Sequence, residues 1–152
     1  MAHLIQFSGF TGIYFRKTQT YMKRAFKKLG ISFDEGIILL NVYANPNTTQ
    51  DRIAELLSLD AAAVARGLKS LEQKDCLTRE IDIENQRRKL VNISPAGQVL
   101  VDQITQIMQI WDEAIFEGLS AEEIRQYVDN IHFFQERASE VDISALLEKQ
   151  QK

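Results

Sequence analysis

The chain has 152 residues, 45% of them hydrophobic and 26% charged. That length suits one ordinary domain whose core needs neither disulfide nor metal. A single cysteine, Cys76, excludes an internal disulfide and the cysteine sets of a zinc ribbon, and two histidines, His3 and His132, are too few for a histidine-rich metal site. No cofactor is expected. No apolar run approaches the roughly 20 residues a bilayer span needs. The opening Met-Ala-His-Leu-Ile-Gln lacks the charged and apolar regions of a signal peptide, so the expected compartment is the cytoplasm, with no membrane partner.

The net charge of -3 hides an asymmetry: residues 1–44 carry +4, residues 45–97 are neutral, and residues 98–152 carry -7. An acidic total does not exclude nucleic acid, because what matters is where the cations stand. None of the aromatic residues falls between residues 45 and 97.

In chain order, Leu4, Phe7, Phe10, Ile13, Tyr14, Tyr21, Phe26 and Leu29 fall at helical spacing. Gly9 and Gly12 weaken the early turns, while Lys27, Lys28 and Gly30 mark a helix end. Ser32-Phe-Asp-Glu35 is a capping box that opens a second helix, closed by Asn45-Pro46-Asn47. Thr48 or Thr49 caps a short third helix carrying Ile53, Ala54, Leu56 and Leu57. Asp60 caps a fourth, running to about Lys74, with Val64, Leu68 and Leu71 as its buried stripe. The period then shortens to two. Leu77 to Asp82 and Lys89 to Ile93 read as strands of a hairpin with a polar tip over Ile83 to Arg88. Pro95 starts another helix at its first position, and Ser120-Ala-Glu-Glu123 is a second capping box before a further helix. Asp142 to Lys149 reads as one more short turn or helix.

Helix, short helix, turn, longer helix and hairpin is the order of a winged helix-turn-helix, whose second helix enters the major groove. Burying Val64, Leu68 and Leu71 leaves Ala62, Ala65, Arg66 and Lys69 on a slim, positively charged outer face. The tip ends in Arg87, Arg88 and Lys89, and arginine suits the narrow minor groove. Gln50 joins the candidate phosphate contacts.

The chain resembles the MarR family of bacterial transcription regulators. Thr49-Gln-Asp-Arg-Ile-Ala-Glu-Leu-Leu57 is similar to the family's Thr-Gln-x-x-Leu-Ala-x-x-Leu stretch. Ile31-Ser32-Phe33 is similar to its Leu-Thr start of the second helix, and Val64-Ala-Arg66 with Leu68 to Arg79 to its recognition helix. Asp82 to Gly97 resembles its Asp-x-x-Asp-Arg-Arg wing followed by Leu-Thr-x-x-Gly. The chain departs from the pattern where Asn85 replaces an aspartate, Asp75 a glycine, and Ala61 to Ala63 hydroxyl residues. The resemblance implies a homodimeric regulator, a repressor of a palindromic double-stranded operator, with a pocket for small aromatic or acidic effectors.

The expected fold is therefore mainly α with a small β-hairpin wing: one domain over 1–152, with a winged core at 31–97. Residues 1–30 and 98–152 supply dimerisation helices, because their apolar residues cover more than one face. Phe10, Tyr14 and Tyr21 are candidates to line an effector pocket, with dimer or core packing the other reading of each. The alternative function is a winged-helix protein-interaction module, since fold does not decide function. Arg66, Lys69, Arg79 and the tip cations favour DNA over it. No glycine-rich phosphate loop or nucleophile elbow points to an enzyme. The absence of aromatics from residues 45–97 argues against single-stranded nucleic acid. Cys76 reads as a small buried hydrophobe rather than a redox switch.

Overall fold

A computed structural model describes residues 2–86 and 88–148, with side chains from residue 6 onward. The elements run α1 (Ala2–Lys28), α2 (Phe33–Ala44), α3 (Gln50–Leu57), α4 (Ala61–Gln73), β1 (Leu77–Ile81), β2 (Lys89–Ile93), α5 (Pro95–Ile115), α6 (Ala121–Ser139) and α7 (Ile143–Glu148). The mainly helical winged fold expected from the sequence is the observed one. The chain divides into two compact units, Met1–Asp112 and Glu113–Lys152.

The caps lie where the side chains dictate. Ser32 and Glu35 close a reciprocal capping box at α2, and Thr49 accepts the Arg52 N–H at α3. Asp60 accepts the Ala63 N–H at 2.8 Å to open α4. Each side chain satisfies an amide that the first turn would otherwise leave unpaired. Gly9 and Gly12 do not stop α1, which continues to Lys28, and Gly30 follows at φ 75 as the stop.

The core of the first unit gathers Met22, Phe26, Ile38, Leu39, Val42, Ile53, Val64, Leu68, Leu71, Val91, Leu100, Val101 and Ile104. The stripe expected on α4 is buried completely. The apolar face of α5 divides: Leu100, Val101 and Ile104 are in the core, while Met108, Ile110 and Ile115 are exposed. Val101 thus belongs to the chain's own core, although Met108 and Ile115, expected with it on a second apolar stripe of this helix, are exposed. The second unit holds α6, whose Ser120 box is present, and buries no residue of α6 or α7.

Candidate nucleic-acid interface

The α3–α4 turn passes through Ser58 in the left-handed conformation, at φ 51. Its Leu59 N–H donates to the Ala54 carbonyl at 3.0 Å. The inner face of α4 then packs on α2. Gly67 makes this close approach possible, because a Cβ there would sit 2.5 Å from Ile38 Cδ1. With that face fixed, Ala62, Arg66 and Lys69 are exposed and Ala65 is half-buried. Among the described residues, neither Arg66 nor Lys69 takes part in an ion pair. Arg66 borders a shallow cleft with Ser32, Asp34, Glu35, Ala63, Gly67 and Ser70, so it stands on the flank of α4 that faces the start of α2.

The C-terminal end of α4 is held by a contact that the sequence does not announce. Lys74 Nζ lies 2.6 Å from Glu35 Oε1, while Glu35 Oε2 accepts the Ser32 N–H at 2.6 Å. Burial alone would push the Glu35 carboxyl up. The Lys74 ammonium, the Ser32 amide and the Ser70 and Ser32 hydroxyls outweigh it, lowering the pKa from 4.5 to about 2. One carboxylate thus caps α2 and anchors α4, across 39 residues of sequence. Reading Glu35 only as a capping residue missed the second role, because nothing local links it to Lys74.

The wing is tied down at both strands. β1 pairs antiparallel with β2, Leu77 opposite Ile93 and Ile81 opposite Lys89. An isolated bridge joins Thr48 to Val91, and the Val91 N–H donates to the Thr48 carbonyl at 2.8 Å. The Asn47 N–H donates to Asn92 Oδ1 at 2.7 Å, and Asn92 Nδ2 to Asn47 Oδ1 at 2.9 Å. Asn47 reaches this position at φ 58, a region where asparagine costs less than most residues. This amide pair was also missed, since neither asparagine has a spacing signature.

Arg79, counted among the cations that favour DNA, is engaged within the chain. Its Nε lies 3.0 Å from Glu72 Oε1 and its side chain is 20% exposed; that contact is an ion pair without hydrogen-bond alignment. Arg79 nevertheless borders a cleft with Thr49, Gln50, Asp51, Arg88, Lys89 and Val91, of about 240 Å³. That cleft brings the half-buried Gln50 beside two exposed wing cations, Arg88 and Lys89. Arg87 lies outside the described residues.

Cys76 is buried, and its Sγ donates to the Lys74 carbonyl at 3.4 Å. Burial pushes the thiol up, with Asp75 and Glu35 adding to the rise and Lys74 opposing it. Asp75 adopts φ 56, the conformation for which a glycine is the ordinary choice.

A second cleft, of about 440 Å³, lies on the α1–α5 side and is lined by Tyr21, Arg24, Ala25, Lys28, Leu29 and Ile107. Tyr21 stacks on Trp111 with ring centroids 5.0 Å apart, and its hydroxyl donates to the Ile107 carbonyl at 3.3 Å. Phe10 is 65% exposed and Tyr14 half-buried, and neither is part of that lining. Among the described residues no group of three metal-ligating side chains occurs. No helix among them is long and apolar enough to cross a membrane.

The MarR family model matches residues 29–88, which hold α2 through the wing tip. Over that stretch the chain is similar to the MarR family. It is 23% identical over 112 residues to the uncharacterized HTH-type transcriptional regulator YybA of Bacillus subtilis (strain 168), covering 74% of this chain and 75% of that protein. The crystal structure of the transcriptional regulator SlyA superposes with a TM-score of 0.76 at 28% identity, covering 86% of this chain and 92% of that one. A mutant of S. aureus MepR, solved bound to an oligodeoxyribonucleotide, gives a TM-score of 0.60 at 25% identity, covering 87% of this chain and 97% of that one. These two named regulators, YybA and SlyA, are what the chain is similar to.

Proposed function

We propose that this protein is a MarR-family regulator, dimeric and sequence-specific for double-stranded DNA, a repressor that acts on a palindromic operator in the cytoplasm. The observation that carries the reading is the outer face of α4. Its inner face is fully engaged, yet Arg66 and Lys69 stand exposed on the helix that winged folds place in the major groove. The cleft between α3 and the wing adds Gln50, Arg88 and Lys89, a fit for backbone phosphates. Arg66 reads a base edge, with Ala62 and Ala65 offering methyl-sized contacts to thymine. Lys69, Arg88 and Lys89 neutralise phosphates, and Arg87 is assigned to the minor groove.

The dimer is carried by apolar surface. Phe7, Phe10, Ile13 and Phe15 on α1 are exposed, as are Val128, Ile131 and Phe134 on α6. Residues 1–30 and 98–152 would supply that interface, the same patches meeting about a two-fold axis. The Tyr21 cleft suits a small aromatic acid: an apolar floor with Arg24 and Lys28 at its edge.

Selection from random duplex DNA, followed by salt titration, tests the proposal. Arg66→Ala should cost roughly 1 to 3 kcal/mol on the selected site and relax its preference. Lys69→Ala should weaken all sequences alike and lower the salt slope by about one. Native affinity and selectivity in both variants would make the protein-interaction module the better reading. For the effector, benzoate should quench the fluorescence of Trp111, the sole tryptophan, and Arg24→Ala with Lys28→Ala should abolish that response.

A further inference from the structure

The wing carries two large apolar side chains that the fold does not use. Ile81 is 63% exposed and Ile83 is 96% exposed. The register sets Ile81 opposite Lys89 and Arg79 opposite Val91, so these four share one face of the hairpin. That face runs from buried Leu77 and Val91 at its base to a rim where Arg79, Arg88 and Lys89 border the cleft against α3.

Ile83 stands beyond that rim, in a turn that is built rather than trailing. The Asp82 N–H donates to the Arg88 carbonyl at 3.0 Å, and the Arg88 N–H to the Asn85 carbonyl at 2.8 Å. The Asp82 carboxylate accepts the Glu84 N–H at 2.9 Å. These bonds bracket Ile83 with an Asx turn and leave its side chain in water. Such turns ordinarily take Gly, Pro, Asn, Asp or Ser. A single exposed apolar residue needs no explanation. Two of them, spaced by two residues, beside Arg88 and Lys89 and among the acids Glu80, Asp82 and Glu84, point to a partner with both charged and apolar parts.

We propose that Ile83, supported by Ile81, is an apolar wedge that the wing presses into the minor groove of duplex DNA. The proposal rests on the double-stranded DNA reading above and adds a determinant of sequence preference to it. The cations across the turn select the occupant: the minor groove sets apolar sugar walls between phosphates, which suits an isoleucine with Arg88 and Lys89 opposite it, while the neighbouring Asp82 carboxylate is turned back onto the Glu84 N–H. Apolar wedges enter at base steps that unstack, and pyrimidine–purine steps unstack most readily. A wing acting through arginine alone would prefer the opposite, the stiff and narrow A-tract. The two chemistries therefore predict different flanking sequences.

The test uses the full chain and duplexes that share one selected core and differ only in the flank under the wing, TA-containing or A-tract. Binding is followed by anisotropy across a salt series. The native chain is expected to favour the TA flank. Ile83→Ser is expected to lose roughly tenfold on that flank and to lose the preference. It should keep the native salt slope, since no cation has been removed. Ile83→Leu, which retains apolar bulk, is expected to keep most of the affinity. Because Ile83 is 96% exposed, serine should cost the fold almost nothing, and thermal unfolding of both proteins is the check. Native affinity and flank preference in Ile83→Ser would overturn the wedge and leave the DNA reading standing. An equal loss on both flanks with a shallower salt slope overturns it too, because the effect would then run through the tip cations. A native chain with no salt-dependent duplex binding would sink the DNA reading, and the wedge with it.

Discussion

In the first unit, Phe26, Ile38, Leu39, Ile53, Leu68 and Ile104 are each no more than 1% exposed. In the second, Tyr127, Val128, Ile131, Phe133 and Phe134 are all at least 39% exposed. Both stretches carry helical apolar patterns with well-formed caps, and the two capping boxes, at Ser32 and Ser120, are chemically alike. The difference lies in what covers the helices. In the first unit, the later turns of α1 close with α2, α4 and the wing, so those apolar stripes find their complement within the chain, whereas Phe7, Phe10, Ile13 and Phe15 of α1 stay exposed. An amphipathic pattern states that a face is to be buried; it does not state by what. Substitutions in the two units probe that difference.

The largest effect is expected where the first unit is tightest. A Cβ on Gly97 would sit 2.0 Å from the Cys76 carbonyl oxygen, a backbone atom that cannot step aside. Gly97→Ala should therefore lower unfolding stability by about 3 kcal/mol or more. In the second unit, a methyl on Gly118 would meet nothing within 4 Å, but the residue sits at a φ of 85. Gly118→Ala should cost only the left-handed strain, about 1 kcal/mol. Chemical denaturation of both variants measures the contrast, and equal losses would refute it.

Next comes the exposed face of α6. Ile131→Asp should leave the first unit's secondary structure intact and weaken self-association by about 3 kcal/mol, roughly a hundredfold in the dimer dissociation constant. Sedimentation in dilute solution reads this directly. A native chain that is already monomeric and folded at nanomolar concentration would remove the dimer reading altogether.

Third is the Glu35–Lys74 pair. The folded pKa of Glu35 is about 2 against 4.5 for the free group. Its contribution is therefore complete above pH 4.5 and is lost as pH falls from there toward 2. Allowing for water at Lys74, which is 36% exposed, the loss should be on the order of 2 kcal/mol. Glu35→Gln should be less stable at neutral pH and show a flatter stability curve across that acid range. Parallel curves for the two proteins would contradict the assignment.

The smallest effect is at Asp75. Replacing it with glycine removes a Cβ from a residue at φ 56. Asp75→Gly should raise stability by about 0.5 kcal/mol, an upward shift in Tm of roughly 2 degrees. No change, or a decrease, would mean that the aspartate side chain has a stabilising role of its own.

Much of this architecture was readable from local patterns. Ser32 with Glu35, Asp60, Pro95 and Ser120 each marked a helix start, because a cap is a contact between residues three apart. The stripe Val64, Leu68 and Leu71 identified the inner face of α4, and so the outer face that carries Arg66 and Lys69. Gly97 was legible only as a motif position; the reason for glycine there is the Cys76 carbonyl, 21 residues earlier. The Glu72–Arg79 ion pair engages one of the cations that favoured DNA, since charge alone does not disclose a partner.

Near-neighbour chemistry is thus enough to define the set of elements, their order, and which side of each helix avoids water. These follow from turn residues and from the periods of 3.6 and 2, which involve only positions close in the chain. Folding adds what those periods leave open: Glu35 caps one helix and anchors another, Asn47 and Asn92 tie the wing to the α2–α3 turn, and Ile83 is held outward across the turn from Arg88. Each of these joins or positions groups through contacts whose partners no local pattern names, and only the folded chain brings those partners within the 3 Å or so that a hydrogen bond requires.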